Sequence, residues 1–173
     1  MKLVYVTLLT IFGGQFLTSC SSSPKSKDYR GYKNQPYTVG GYRYCPMSVE
    51  EALTYSCTGI ASHYNETALW GLWSGETALG ENVKSWHVHA AHKTLPLPCE
   101  VRVTSLKTGK NILVRVNDRG PFVKNRLIDL SEETADRLGI KHHGLSKVYI
   151  EVVSVGDGKW KRYAPPRATL CSN

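Results

Sequence analysis

Asn111-Ile112-Leu113-Val114-Arg115-Val116-Asn117-Asp118-Arg119-Gly120-Pro121-Phe122 carries two patterns end to end. Ile112, Val114 and Val116 alternate with Leu113, Arg115 and Asn117, the period of a half-buried strand. The strand then runs into a polar turn, where Gly120 and Pro121 punctuate the chain. Upstream, Cys99, Val101 and Val103 alternate with Glu100, Arg102 and Thr104, and Lys107-Thr108-Gly109-Lys110 joins the two strands as a hairpin turn. Downstream, residues 126–130 form another short strand. Ser131 is a good helix N-cap, Glu132 and Glu133 suit the first turn, and Gly139 ends the helix. Val148, Ile150 and Val152 align on a last strand over 147–153. Gly59-Ile60-Ala61-Ser62-His63-Tyr64 is a short strand before all of these. The expected unit is a mainly β barrel of short strands with one or two small helices, over about residues 58–155. Fifteen glycines, eight prolines and five cysteines agree with a turn-rich β protein.

The flanks read differently. Lys2 followed by the apolar run Leu3 to Phe12 is a secretory signal over residues 1–19, too short for a stable span. Leu17-Thr18-Ser19-Cys20 resembles a bacterial lipobox, which makes Cys20 the lipidated N-terminus and the membrane anchor. Residues 20–44 are polar and aperiodic and read as a flexible tether, 45–57 as an N-terminal extension, and 156–173 as an irregular basic tail. Export allows disulfides among Cys45, Cys57, Cys99 and Cys171, in any of three pairings. The formal charge is +8, which favours anionic partners such as glycans or lipid head groups. Export and the lack of a basic block set nucleic acid aside. No cofactor is implied. His87, His89 and His92 lie close in sequence, but no Glu or Cys stands at a familiar ligand spacing, so no metal is expected.

Four segments carry polar residues that strand packing does not require: Gly75 to Glu81, Val88 to Pro96, Asn117 to Phe122, and Arg126 to Ser131. Ala91-His92-Lys93-Thr94-Leu95-Pro96 and Val116-Asn117-Asp118-Arg119-Gly120-Pro121-Phe122, with Thr77-Ala78-Leu79-Gly80-Glu81 before them, resemble the RlpA-like family from Gly59 to Val153. That resemblance implies a six-stranded double-psi β-barrel, shared with expansins and barwin-like proteins. It also implies an endolytic lytic transglycosylase that cuts MurNAc–GlcNAc bonds of peptide-poor peptidoglycan strands and leaves 1,6-anhydro-MurNAc ends. A lytic transglycosylase needs no water nucleophile, because the sugar's own 6-hydroxyl closes the ring, so one carboxyl group serves as acid and then as base.

By that match Asp118 is the acid/base, which requires a protonated carboxyl at the start. Glu81 is the second acid, sharing a proton network with Asp118 or stabilising oxocarbenium character. His92 orients an acid or binds a sugar hydroxyl. Arg119 binds the lactyl carboxylate or serves in a structural ion pair. Tyr64, Trp73 and Trp86 are candidates for stacking on sugar rings. Asp129 beside Ser131 reads as a structural cap. The implied setting is a monomeric lipoprotein of the bacterial envelope, facing the periplasm and placed at the outer rather than the inner membrane. The alternative is a non-catalytic, expansin-like wall-binding lipoprotein. His63, Asn65 and Leu79 depart from the family pattern beside the expected groove. Nothing in 156–173 matches the SPOR domain that some members carry, so septal targeting is not carried over.

Overall fold

Alternation on three long strands closes a ring. The computed structural model describes residues 33–63, 77–81, 87–162 and 169–170. Its strands are β1 (Tyr37–Val39), β2 (Tyr42–Tyr44), β3 (Ser56–His63), β4 (His89–His92), β5 (Cys99–Ser105), β6 (Asn111–Asp118), β7 (Ile128–Leu130), β8 (Leu145–Val155), β9 (Trp160–Lys161) and β10 (Thr169–Leu170). Two short helices, α1 (Val49–Thr54) and α2 (Glu132–Arg137), complete it with a 3₁₀ turn at Lys141–His143.

Six strands form the barrel in the order β3-β7-β4-β6-β5-β8, and β8 pairs back onto β3. The pairing is mixed: β3 with β7 and β4 with β6 are parallel, the other four contacts antiparallel. This is the six-stranded double-psi barrel expected. Val101 and Val103 of β5, Val114 and Val116 of β6, Val148, Ile150 and Val152 of β8, and Ile128 and Leu130 of β7 fill the interior with at most 1% exposure. Each such side chain contributes roughly 1.5–3 kcal/mol of burial, so the barrel's hydrophobic stabilisation lies in these strands. The 107–110 turn closes as expected, with Ser105 N–H donating to Lys110 O at 2.9 Å and Gly109 N–H to Ser105 O at 2.9 Å.

The flanks differ from their sequence reading. Of the expected tether, residues 37–44 form the β1–β2 hairpin, and Lys33 bridges to Leu97. The extension holds α1, closed by a capping box in which Ser48 Oγ accepts from Glu51 N–H and Glu51 accepts from Ser48 N–H. Ser56 and Cys57 already belong to β3, so the first barrel strand starts earlier than Gly59. The expected irregular tail contributes β9, antiparallel to β8, and β10, parallel to β3. Cys45 and Cys57 each take part in a disulfide. Cys99 is a buried free thiol, pushed up to about 12 by its burial. Among the described residues no helix is long and apolar enough to cross a membrane. Residues 1–19 and Cys20 lie outside the described residues.

Candidate active site

The site grows from an irregularity in β6. Ala90 pairs with Val116, but Ala91 pairs with Asp118, so Asn117 is one residue too many for its partner strand. A bulge of this kind re-aims the side chains that follow it. Val114 and Val116 point into the core, Asn117 is buried as well, and Asp118 emerges half-buried on the side that Arg115 shares. Strict alternation would have turned Asp118 inward with Val116. Asp118 Oδ1 accepts Ala78 N–H at 2.8 Å and its neighbour Arg119 N–H at 2.7 Å. Oδ2 takes no hydrogen bond among the described residues.

The loop 77–81 is tied onto the same stretch of β6. Buried Thr77 holds it: its Oγ1 accepts Leu79 N–H at 3.3 Å and Glu81 N–H at 3.1 Å. Gly80, at φ +79, sits in the left-handed region the tight turn needs. This presents Ala78 N–H to Asp118 and brings Glu81 over Arg115 and Asn117. Glu81 Oε1 accepts from Arg115 Nη2 at 2.6 Å, and Oε2 from Asn117 Nδ2 at 2.8 Å. Arg115 also bridges to Asp157 through Nη1. Burial pushes the Glu81 carboxyl up, but the bonds from Arg115 and Asn117 and the charges of Arg115 and His89 outweigh it, so it lies below its usual value. Glu81 is therefore an anion near neutral pH. The ion pair is over a third exposed on both sides and contributes at most about 1 kcal/mol to stability, so its consequence is orientation.

The structure brings Asp118 and Glu81 together but gives His92 other work. His92 is buried, and its Nδ1 accepts the N–H groups of Thr94 at 3.2 Å and Leu95 at 3.0 Å. Its ring packs edge-on against Tyr55. Burial, with Arg119 and Lys93 nearby, lowers it to about 3, so it stays neutral and pins a turn. Neither acid is hydrogen-bonded to it. Burial holds His89 below its usual value, offset in part by its bond to the His87 carbonyl and by the charges of Asp118 and Glu81. Arg119 is also diverted. Its guanidinium donates to Lys93 O at 3.3 Å, to Leu95 O and to Lys33 O at 2.8 Å, and lies 5.2 Å from the Tyr37 ring centre. It clamps backbone rather than offering its fork to a ligand.

Tyr64, Trp73 and Trp86 lie outside the described residues. Asp129 accepts from Ser62 Oγ. Among the described residues no group of three His, Cys, Asp or Glu is placed to hold a metal ion; His87 instead supplies a carbonyl to His89 Nδ1 at 3.0 Å and to Ser131 Oγ at 2.8 Å. Sequence reasoning missed Arg115, Asn117 and His89 as site residues. A signal existed: Arg115 and Asn117 are the polar phase of an apolar strand, and His89 is two residues from Ala91, hence on its face.

The lytic transglycolase family matches residues 56–150. The chain is 48% identical over 119 residues to the endolytic peptidoglycan transglycosylase RlpA of Pseudomonas aeruginosa, covering 69% of this chain and 33% of the relative. It is 40% identical over 152 residues to the protein of that name from Neisseria meningitidis, covering 86% and 61% respectively. With that of Rickettsia felis the values are 38% over 170 residues, 87% and 72%. The chain thus spans a third of the Pseudomonas relative's length and about three fifths of the Neisseria one. Among solved structures, the Streptomyces papain inhibitor matches at a TM-score of 0.45 and 21% identity, covering 57% of this chain and 94% of that one.

Proposed function

The chain belongs to the RlpA-like lytic transglycolase family, and from that we propose that it is an endolytic lytic transglycosylase of peptidoglycan, cutting MurNAc–GlcNAc β-1,4 bonds in peptide-poor strands. The observation that carries this reading is the pair of differently committed acids beside β6. Asp118 has an uncommitted Oδ2, whereas Glu81 is held as an anion by Arg115 and Asn117. Two carboxyl groups in unlike environments take unlike roles.

Asp118 Oδ2, protonated, gives its proton to the leaving glycosidic oxygen as the bond to the MurNAc anomeric carbon breaks. The 6-hydroxyl oxygen of the same sugar then bonds to that carbon, and its proton returns to Oδ2. The acid is restored, no water is consumed, and the new end is 1,6-anhydro-MurNAc. The Ala78 and Arg119 N–H groups fix Oδ1, so the proton moves through Oδ2. Glu81 stabilises positive charge on the sugar ring, and His89 stays neutral beside both acids. Arg119 and His92 support this site by holding the 92–95 turn. Tyr64, Trp73 and Trp86 keep their proposed role against sugar rings. Cys20 carries the lipid that holds a monomer at the envelope, at the outer membrane facing the periplasm.

The test is product analysis. Purified protein is incubated with peptide-free glycan strands, beside Asp118→Asn, and the ends are identified by mass spectrometry. Anhydro-MurNAc ends from wild type, lowered about 10²–10⁴-fold in the variant, are expected. Ordinary reducing ends would mean hydrolysis. Binding without cleavage would overturn the enzyme in favour of an expansin-like wall binder.

A further inference from the structure

With Arg119 spent on backbone carbonyls, two other cations, Lys93 and Arg126, have donors to offer beside the 92–95 turn. A cavity of about 260 Å³ opens there, lined by Thr58 of β3, His92, Lys93 and Thr94 at the end of β4, and Asn125 and Arg126 ahead of β7. Among the described residues no acidic one lines it. Lys93 Nζ donates to Arg126 O at 2.8 Å, which leaves two of its three N–H groups. Among the described residues the Arg126 guanidinium and the side chains of Thr58, Thr94 and Asn125 hold no hydrogen bond or ion pair. Asp129, the acid whose charge acts on Lys93, is engaged by Ser62. Two positive charges and three neutral polar side chains therefore face one cavity with their capacity unspent.

We propose that this cavity is a carboxylate subsite, in which Lys93 and Arg126 take the free lactyl carboxylate of a muramyl residue of the glycan. The proposal rests on the wall-glycan reading above. An ammonium and a planar guanidinium suit a carboxylate, and charge-assisted bonds to it are the stronger kind. The subsite is wired to the acid. Lys93 O accepts from both Arg119 Nη1 and Tyr37 Oη, and Arg119 N–H binds Asp118 Oδ1. Occupying it seats one sugar at a fixed offset from Oδ2. A lactyl group amidated by a stem peptide has no charge there, so the cavity selects strands without peptides.

The experiment is a chemical-shift titration of the whole folded chain with three probes: N-acetylmuramic acid, its lactyl methyl ester, and muramyl dipeptide, whose carboxylate sits at the peptide's end. The free acid is expected to bind about tenfold more tightly than the ester or the dipeptide, with shifts at residues 58–60, 92–94 and 125–127. Arg126→Gln and Lys93→Gln should each erase that preference at unchanged Tm. Equal binding of acid and ester, or a preference unmoved by Arg126→Gln, overturns the subsite. Dipeptide binding as tight as the acid overturns its assignment to the lactyl group. These titrations need no turnover, so a protein that cleaves nothing would sink the lyase reading while leaving them decisive. On peptide-free strands Arg126→Gln should raise KM about tenfold and keep kcat.

Discussion

Two histidines three residues apart end in opposite situations. His89 shares the face of Ala91 and feels the charges of both acids, while His92 points the other way and pins the amides of Thr94 and Leu95. The difference is testable by pH. His92 is lowered from 6.5 to about 3, so the unfolded chain takes up a proton that the folded chain refuses. Its contribution is whole above about 6.5 and is lost as pH falls from there toward about 3, by about 1.4 kcal/mol per pH unit. His92→Asn keeps an acceptor for the two amides and removes the titration. Its Tm should fall less between pH 6.5 and 4 than that of wild type. Glu81→Gln leaves Arg115 its ion pair with Asp157 and removes the anion that the proposed reaction sets beside the sugar. Cleavage should drop about 10²-fold, with the melting temperature changed little, since the ion pair is over a third exposed on both sides. Asp118 and Glu81 were legible from the resemblance. The diversion of Arg119 was not, because no sequence pattern shows that the carbonyls of Lys33, His92, Lys93 and Leu95 converge on one guanidinium.

At the scale of elements, legibility followed contrast. β5, β6, β8 and α2 announced themselves, since each sets branched apolar residues against polar ones at a fixed period or opens on a clear cap. β4 did not. His89-Ala90-Ala91-His92 is buried on both faces, so no apolar-polar contrast survives for a period to show. β1 and β2, at three residues each, are too short to display one. What fixes β4 is its stitching to α2. Ser131 Oγ accepts Thr134 N–H and donates to His87 O at 2.8 Å, while Ser131 N–H donates to His89 O at 3.0 Å. Ser131→Ala should therefore cost more than an exposed cap, about 2 kcal/mol, because it removes one of the two bonds to the His87 carbonyl and leaves a buried helix amide unmet. Chemical denaturation would measure it. A cost below about 0.5 kcal/mol would show that β4 does not depend on the stitch.

Across the whole molecule, closure of the ring leaves the six barrel strands without a free edge, and the outer segments are fastened onto it. The hairpin docks on the 119–122 turn: Tyr37 stacks on Tyr44 at 5.3 Å, Tyr44 meets Phe122 at 5.3 Å, and Arg119 reaches Lys33 O. Tyr37→Ala removes the stack, the contact with Arg119 and the bond to Lys93 O. It should lower the melting temperature and raise KM together. Reductant should lower the melting temperature too, since Cys45 and Cys57 are disulfide-bonded and each link is worth about 2–4 kcal/mol. Cys99 should resist alkylation until the barrel unfolds. The surplus residue in β6 reaches further than geometry. Asp118 owes its direction to a count of residues, so loss of the Asn117 codon in frame would leave every other side chain encoded as before. The aspartate would drop into the place of Asn117, buried against Glu81, and the outward carboxyl would be gone. On the proposed reading, a cutter and a holder of the wall stand one three-base deletion apart.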